Sequence, residues 1–191
     1  MEYGLDRMEF AEGDLAVDIG ANVGEVSLIL ARRGLRIIAV EPDPLEFKAL
    51  ISNLPDGARC FQEALWSEPR RMELHLANDS GDTSLLGEEG RAVSVSVTTL
   101  DLLLSGEAPQ GVDIGLLKLE AEGAEPEVLH GAKSALQKTK WVTVDAGPER
   151  GEDNTSTLPA VVTFLLERGF AFESVQPARL TAQFISKRRE G

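Results

Sequence analysis

Apolar and polar positions along the chain switch between two periods. Leu15 to Ile19 is an apolar run interrupted by Asp18, and it reads as a buried strand. Across Gly24 to Arg33, the positions Val26, Ile29 and Leu30 continue Val23 at helical spacing, and Gly34 follows as a stop. Arg36 to Val40 is a second apolar strand. Pro44 to Asn53 is a helix with proline in its first turn. Arg59 to Ala64 is a third strand. The order βαβαβ predicts a parallel sheet with right-handed crossovers.

The middle of the chain reads differently. Met72, Leu74 and Leu76 alternate with polar residues, as do Val93, Val95 and Val97, which predicts two half-buried antiparallel strands. Between them Asn78 to Gly90 is rich in Gly, Ser, Asp and Glu and reads as a mobile surface loop. Residues 70–98 form a central β insertion rather than a second domain. The α/β pattern resumes with a strand at Ile114 to Leu119, a helix at Pro126 to Lys138, a strand at Trp141 to Val144 ending in Asp145, and a helical face from Leu158 to Leu166. Ala171 to Val175 and Leu180 to Ser186 are too close for a parallel crossover and must pair antiparallel. The fold class is α/β: one domain over residues 1–191, a short leading segment 1–13, and a mostly parallel twisted sheet with an antiparallel C-terminal hairpin.

Composition narrows the partners. The 191 residues carry a formal net charge of -13, which opposes nucleic acid as a main partner. A single cysteine, Cys60, excludes a disulfide framework and a cysteine zinc site. No apolar run reaches membrane-spanning length, and the start lacks the pattern of a secretory leader, so a cytoplasmic protein is expected. His75 and His130 read as structural or solvated. No His, Asp and Glu set has metal-ligand spacing, so no metal is assigned. A homo-oligomer stays open.

Two constellations carry chemistry. In the first, Asp18, Gly20, Asn22 and Gly24 follow a buried strand and precede a helix, where the glycines let backbone approach a ligand closely. Glu41 ends the next strand, where an acid can accept hydrogen bonds from both ribose hydroxyls. The pair points to a nucleoside-containing ligand. The spacing is not G-x-G-x-x-G, and no phosphate-cradling G-x-x-x-x-G-K-[ST] occurs, which argues against a nucleotide-dependent oxidoreductase. The second constellation is Lys118 to Glu127, four carboxylates and a lysine crowding a strand end and a helix start. Glu125 and Glu127 read as acids favoured by a helix dipole. A lysine in an apolar strand is costly unless paired, so Lys118 is expected to meet a nearby carboxylate.

The segments VDIGANVGEVSLILARRG, AVEPDP, EALWSEP, VTTLD and LLKLEAEGAEPEVLHGA resemble, in order and spacing, the FkbM family of S-adenosylmethionine-dependent methyltransferases. The resemblance runs from about Asp14 to Phe170. It implies a Rossmann-like class I methyltransferase fold, S-adenosyl-L-methionine as cofactor with S-adenosyl-L-homocysteine as product, and O-methylation of a hydroxyl on a sugar, glycan or small natural product. The alternative is an inactive nucleoside-binding or scaffold domain. By the same resemblance, Asp18, Gly20, Asn22 and Gly24 surround the methionine part of the cofactor. Glu41 holds the ribose, with Pro42 and Asp43 beside the adenine and Glu63 and Ala64 at its edge. Glu120 is the first candidate for the base and Glu122 the second, with Lys118 in the same catalytic block. Thr99-Leu100-Asp101 matches a family signature whose simplest role is a helix cap by Thr99. Two departures matter: Glu120 stands where the family more often has aspartate, and the leading segment is short, which implies that part of a lid is absent or comes from a partner subunit. Asp145 also stands where many members carry glutamate.

Overall fold

The computed structural model describes residues 3–76, 83–86, 91–107, 113–151 and 153–189. The elements are β1 (Leu15–Ile19), α1 (Glu25–Arg32), β2 (Arg36–Val40), α2 (Pro44–Asn53), β3 (Arg59–Phe61), β4 (Ala64–Leu65), β5 (Arg70–Leu76), β6 (Arg91–Thr98) and α3 (Leu100–Glu107). There follow β7 (Ile114–Leu119), α4 (Glu125–His130), α5 (Lys133–Gln137), β8 (Thr139–Asp145), β9 (Pro148–Arg150), β10 (Thr155–Ser156), α6 (Leu158–Glu167), β11 (Phe170–Gln176) and β12 (Thr181–Ser186). Among the described residues the main sheet has seven strands in the order β11-β12-β8-β7-β1-β2-β3. The five strands from β8 to β3 run parallel, while β12 is antiparallel to β8 and to β11.

From β1 the chain builds the sheet outward through β2 and β3, then returns to the other side of β1 with β7 and β8. That reversal makes a crevice at the carboxyl edge between β1 and β7, the switch point where open α/β sheets bind ligands. Strand alternation feeds two layers. Leu15, Val17 and Ile19 join one apolar cluster with Leu100, Leu129, Leu136 and Leu165 from the helices on that face. Ala16 faces the other, with Leu30 of α1, Leu50 of α2, and Tyr3, Leu5 and Met8 from the leading segment. No helix among the described residues is long and apolar enough to cross a membrane.

Three expectations are corrected. The strand expected over Arg59 to Ala64 is two strands. β3 stops at Phe61, polar Gln62 and Glu63 leave the sheet, and β4 pairs parallel with β6 in a separate three-stranded sheet with β5. The helix expected from Pro126 to Lys138 breaks at Gly131. A Cβ there would collide with the Trp66 carbonyl oxygen, so the chain passes too close to β4 to carry a side chain. The following helix is capped from outside, because Asp101 accepts from the N–H groups of Ser134 and Ala135 at 2.8 and 2.9 Å. Thr99 caps α3, accepting from Leu102 N–H at 3.1 Å. The Thr-Leu-Asp signature is therefore a pair of helix caps. The surface loop expected from Asn78 to Gly90 lies largely outside the described residues, but 83–86 is not solvated chain. Ser84 bridges the backbone of His75 and donates its hydroxyl to the Glu122 carbonyl at 3.0 Å.

Candidate active site

The crevice is a cleft of about 640 Å³, within the usual range for small-molecule sites. On the β2–β3 side it is lined by Glu41, Pro42, Glu63, Ala64, Leu65 and Leu74, and on the β7 side by Tyr3, Lys118, Glu120, Glu122 and Arg179. Gly20 and Asn22 lie between.

Gly20 sits with φ 68°, and a Cβ on it would strike the Glu120 carbonyl oxygen. The loops after β1 and β7 thus touch through bare backbone. Asn22 also has a left-handed backbone, φ 51°. Its N–H donates to Glu41 Oε2 at 2.8 Å while Asp43 N–H donates to Oε1 at 2.8 Å. Two backbone donors therefore fix the Glu41 carboxylate, and each oxygen keeps a lone pair for a ligand. Burial drives its pKa up to about 7, against the lowering effect of those two N–H groups.

Three residues assigned to cofactor contact by resemblance do not line the cleft. Asp18 is wholly buried, accepts from Ser27 Oγ at 2.6 Å and pairs with Lys118. It ties β1 to α1 from behind. Gly24 has φ 93°, and a Cβ would lie 2.8 Å from Leu50 Cδ1, so it serves the packing of α1 on α2. Asp43 caps α2 through Leu45 and Glu46 N–H and accepts from Thr83 Oγ1 at 3.0 Å.

On the β7 side, Lys118 is 2% exposed. Its Nζ lies 3.3 Å from Ile19 O, 2.5 Å from Gly20 O, 3.2 Å from Asp18 Oδ1 and 3.1 Å from Glu120 Oε2. Burial alone would push the ammonium down, but the Asp18 and Glu120 carboxylates outweigh it and hold the pKa above the ordinary lysine value. An ammonium with more acceptors than protons is no base and has no proton left for a substrate. Lys118 thus meets two carboxylates, Asp18 and Glu120, with its whole ammonium engaged.

Glu120 accepts on Oε2 from Tyr3 Oη at 2.5 Å and Lys118, and on Oε1 from Arg179 Nη2 at 2.9 Å. Burial would raise its pKa, yet Lys118, the Tyr3 hydroxyl and Arg179 bring it below the usual glutamate range. Arg179 Nε also lies 3.1 Å from Asp145 Oδ2, a carboxylate 1% exposed. Burial and Glu120 hold Asp145 above the ordinary aspartate value. Glu149 next to it rises to about 7 through burial and the charge of Asp145. Glu122 lines the cleft with φ 46°.

Glu125 and Glu127 do more than face a helix dipole. Buried Glu125 accepts from Ala121 and Gly123 N–H and from Thr157 Oγ1, pinning the loop that carries Glu120. Glu127 makes a two-pronged pair with Arg150 at 2.7 and 2.8 Å. Tyr3 and Arg179 carried no signal in the sequence pattern. Tyr3 and Leu5, from the short leading segment, cover part of the cleft. His130 packs edge-on against Phe164 and does not line the cleft. Among the described residues no group of three or more His, Cys, Asp or Glu side chains is placed to hold a metal ion.

Residues 18–172 match the model of the methyltransferase FkbM domain. The chain belongs to the FkbM methyltransferase family. Among curated proteins, it is 26% identical to the hexuronic acid methyltransferase AglP of Haloferax volcanii over 95% of this chain and 73% of that one. It is 27% identical to the 31-O-demethyl-FK506 methyltransferase FkbM of Streptomyces tacrolimicus over 88% and 77%, and 23% identical to the 2-O-methyltransferase NoeI of Sinorhizobium fredii over 78% and 70%. Among solved structures, the fold is similar to a ribosomal protein L11 methylase from Lactobacillus delbrueckii subsp. bulgaricus, with TM-score 0.54 and 11% identity over 95% of this chain and 72% of that one. It is also similar to magnesium protoporphyrin IX methyltransferase from Synechocystis PCC 6803 with bound S-adenosylmethionine, with TM-score 0.50 and 12% identity over 92% and 71%.

This FkbM-family chain is an S-adenosylmethionine-dependent methyltransferase with a Rossmann-like fold. Its cleft fits that cofactor on its own geometry. Gly20 leaves backbone bare where a Cβ would intrude, and Glu41 offers two oriented oxygens at the end of β2. The lining carries Glu25, Glu41, Glu46, Glu63, Glu120 and Glu122 against Lys118 and Arg179, an acidic surround suited to a sulfonium cation.

Proposed function

We propose that this enzyme methylates a hydroxyl oxygen on a sugar or natural-product acceptor, with Glu120 receiving the proton. Gly20, Asn22, Glu41, Pro42, Glu63 and Ala64 hold the cofactor, and Asp18, Gly24 and Asp43 support that loop from behind. The acceptor binds on the β7 side, near Tyr3 and Arg179. The relatives that act on a hexuronic acid, on a 2-O position and on a 31-O position support a hydroxyl acceptor. The acidic lining and the net charge of -13 speak against nucleic acid. The absence of a disulfide framework favours a cytoplasmic setting.

The observation that carries the reading is the Glu120 carboxylate, which faces the cleft at the switch point with three donors fixing it. When bound, S-adenosylmethionine supplies a methyl group already activated on a sulfonium. The protein's own task is alignment and proton removal. An alcohol oxygen becomes strongly acidic as it gains a third bond, far more so than a carboxylic acid. A carboxylate with a lowered pKa is therefore basic enough, and it stays ionised at neutral pH. Lys118 holds Glu120 and the Gly20 carbonyl in one frame, so the proton acceptor and the cofactor loop move together.

Methyl transfer to p-nitrophenyl glycosides, including a glucuronide, followed by release of S-adenosylhomocysteine, tests this. The expected result is turnover with at least one hydroxyl acceptor, lost in Glu120→Gln and kept in Glu122→Gln. Transfer confined to nitrogen acceptors, or full turnover by Glu120→Gln, would overturn it.

A further inference from the structure

We infer that Tyr3 is a positioning residue for this transfer: with Lys118 it fills Oε2 of Glu120, leaving Oε1, beside Arg179, to take the proton. The inference rests on the reading that Glu120 is the proton acceptor.

A carboxylate offers about four lone-pair sites. Oε2 receives Tyr3 Oη at 2.5 Å and Lys118 Nζ at 3.1 Å, both from groups that are themselves buried. Oε1 receives one of the interactions described above, from Arg179 Nη2 at 2.9 Å, and Arg179 is 45% exposed. The arginine lies on the turn between β11 and β12, also paired with Asp145 Oδ2 at 3.1 Å, so it flanks Oε1 from the solvent side while Tyr3 and Lys118 close the buried side. The O–H bond of the acceptor breaks and an Oε1–H bond forms, with Lys118 and Tyr3 still holding Oε2.

Tyr3 is built to stay. Its carbonyl accepts from Thr143 Oγ1 at 3.2 Å, Gly4 beside it turns with φ 67°, and Leu5 O accepts from Arg33 Nη1 at 2.7 Å. Lys118 Nζ lies 5.3 Å from the Tyr3 ring centre. Burial, then the charge of Glu120, keeps the phenol protonated well above its ordinary range, so Tyr3 gives a hydrogen bond and takes no proton. The charged groups that face Glu120 are Lys118 on β7, Arg179 on the β11–β12 turn, Asp145 at the end of β8 and Glu149 on β9. The Tyr3 hydrogen bond lowers the Glu120 pKa, so its removal must raise it.

The test is a carboxyl ¹³C NMR titration of the whole protein labelled at glutamate Cδ, with the Glu120 signal assigned by its loss in Glu120→Gln. Tyr3→Phe keeps the ring and should move the Glu120 midpoint up by about one pH unit, the size of one hydrogen bond to a charged group. Turnover should fall about tenfold, with cofactor affinity unchanged. Tyr3 is the sole tyrosine, so 3-fluorotyrosine labels this position alone. Its more acidic phenol should move the midpoint down. A midpoint that stays fixed in both proteins overturns the role of Tyr3 while leaving Glu120 in place. Full turnover by Glu120→Gln removes Glu120 from the reaction and the positioning role with it, whatever the Tyr3 variants do.

Discussion

Replacing Lys118 with methionine should be among the most damaging single changes in this chain. Methionine matches the length of the stem but removes the ammonium that faces Asp18, Glu120 and two backbone carbonyls. Asp18 has no solvent contact, and its Oδ1 has no hydrogen-bond partner beyond the ion pair with Lys118. Ile19 O still accepts from Glu120 N–H, so that carbonyl stays satisfied, whereas Gly20 O loses its lysine. Stranding one buried charge costs about 3–5 kcal/mol, and about 4 kcal/mol is the expected loss here. In a chain of this size that lowers Tm by roughly 8–16 °C. Urea unfolding followed by tryptophan fluorescence and circular dichroism measures it. Adding Asp18→Asn removes the stranded charge but keeps an acceptor for Ser27 Oγ, so the double variant should recover at least about 1.5 kcal/mol. A loss below about 1 kcal/mol, or single losses that simply add in the double variant, would refute the reasoning.

Asp101→Ala should cost about 1–2 kcal/mol, because it uncaps α5 while leaving the site residues in place. The denaturation midpoint should drop with an unchanged slope. Glu41 and Glu149 have folded pKa values near 7 against an ordinary 4.5. Between those values the folded chain binds more protons than the unfolded one, so each group lowers stability as pH rises and its full penalty is present above about 7. Glu149→Gln should therefore be more stable than wild type at pH 8 and no more stable at pH 4. The gain at pH 8 should be about 1 kcal/mol after solvent screening, read from urea midpoints at both pH values. Glu120 shifts the other way. Its ionised form is held down to acidic pH, so turnover should persist below the ordinary glutamate range before its acid limb falls, which a pH–rate profile measures.

Much of this architecture is legible in the residue pattern because it rests on local rules. β1, β2, α2 and β7 follow from short apolar runs and proline or glycine punctuation, and the β5–β6 pairing follows from strict alternation. Lys118 announces its own pairing, since an ammonium inside an apolar strand must meet charge. The breaks at Gln62-Glu63 and Gly131 are less legible. Gly131 yields its helix to a close approach from Trp66, which lies 65 positions earlier in the chain. Tyr3 and Arg179 reach Glu120 across 117 and 59 positions, and no period records such a contact. The family resemblance grouped Asp18, Glu41 and Asp43 in one cofactor site. It did not distinguish side chains that face the cleft, such as Glu41, from those that brace it, such as Asp18 and Asp43.

The central claim is that the crevice between β1 and β7 holds S-adenosylmethionine on Gly20 and Glu41. Calorimetric titration of S-adenosylmethionine into wild type, Glu41→Ala and Glu120→Gln tests it most directly. Wild type should bind, Glu41→Ala should weaken binding about ten- to a hundredfold, as expected for loss of charge-assisted hydrogen bonds, and Glu120→Gln should change affinity little. No binding to wild type, or an affinity unmoved by Glu41→Ala, would contradict it.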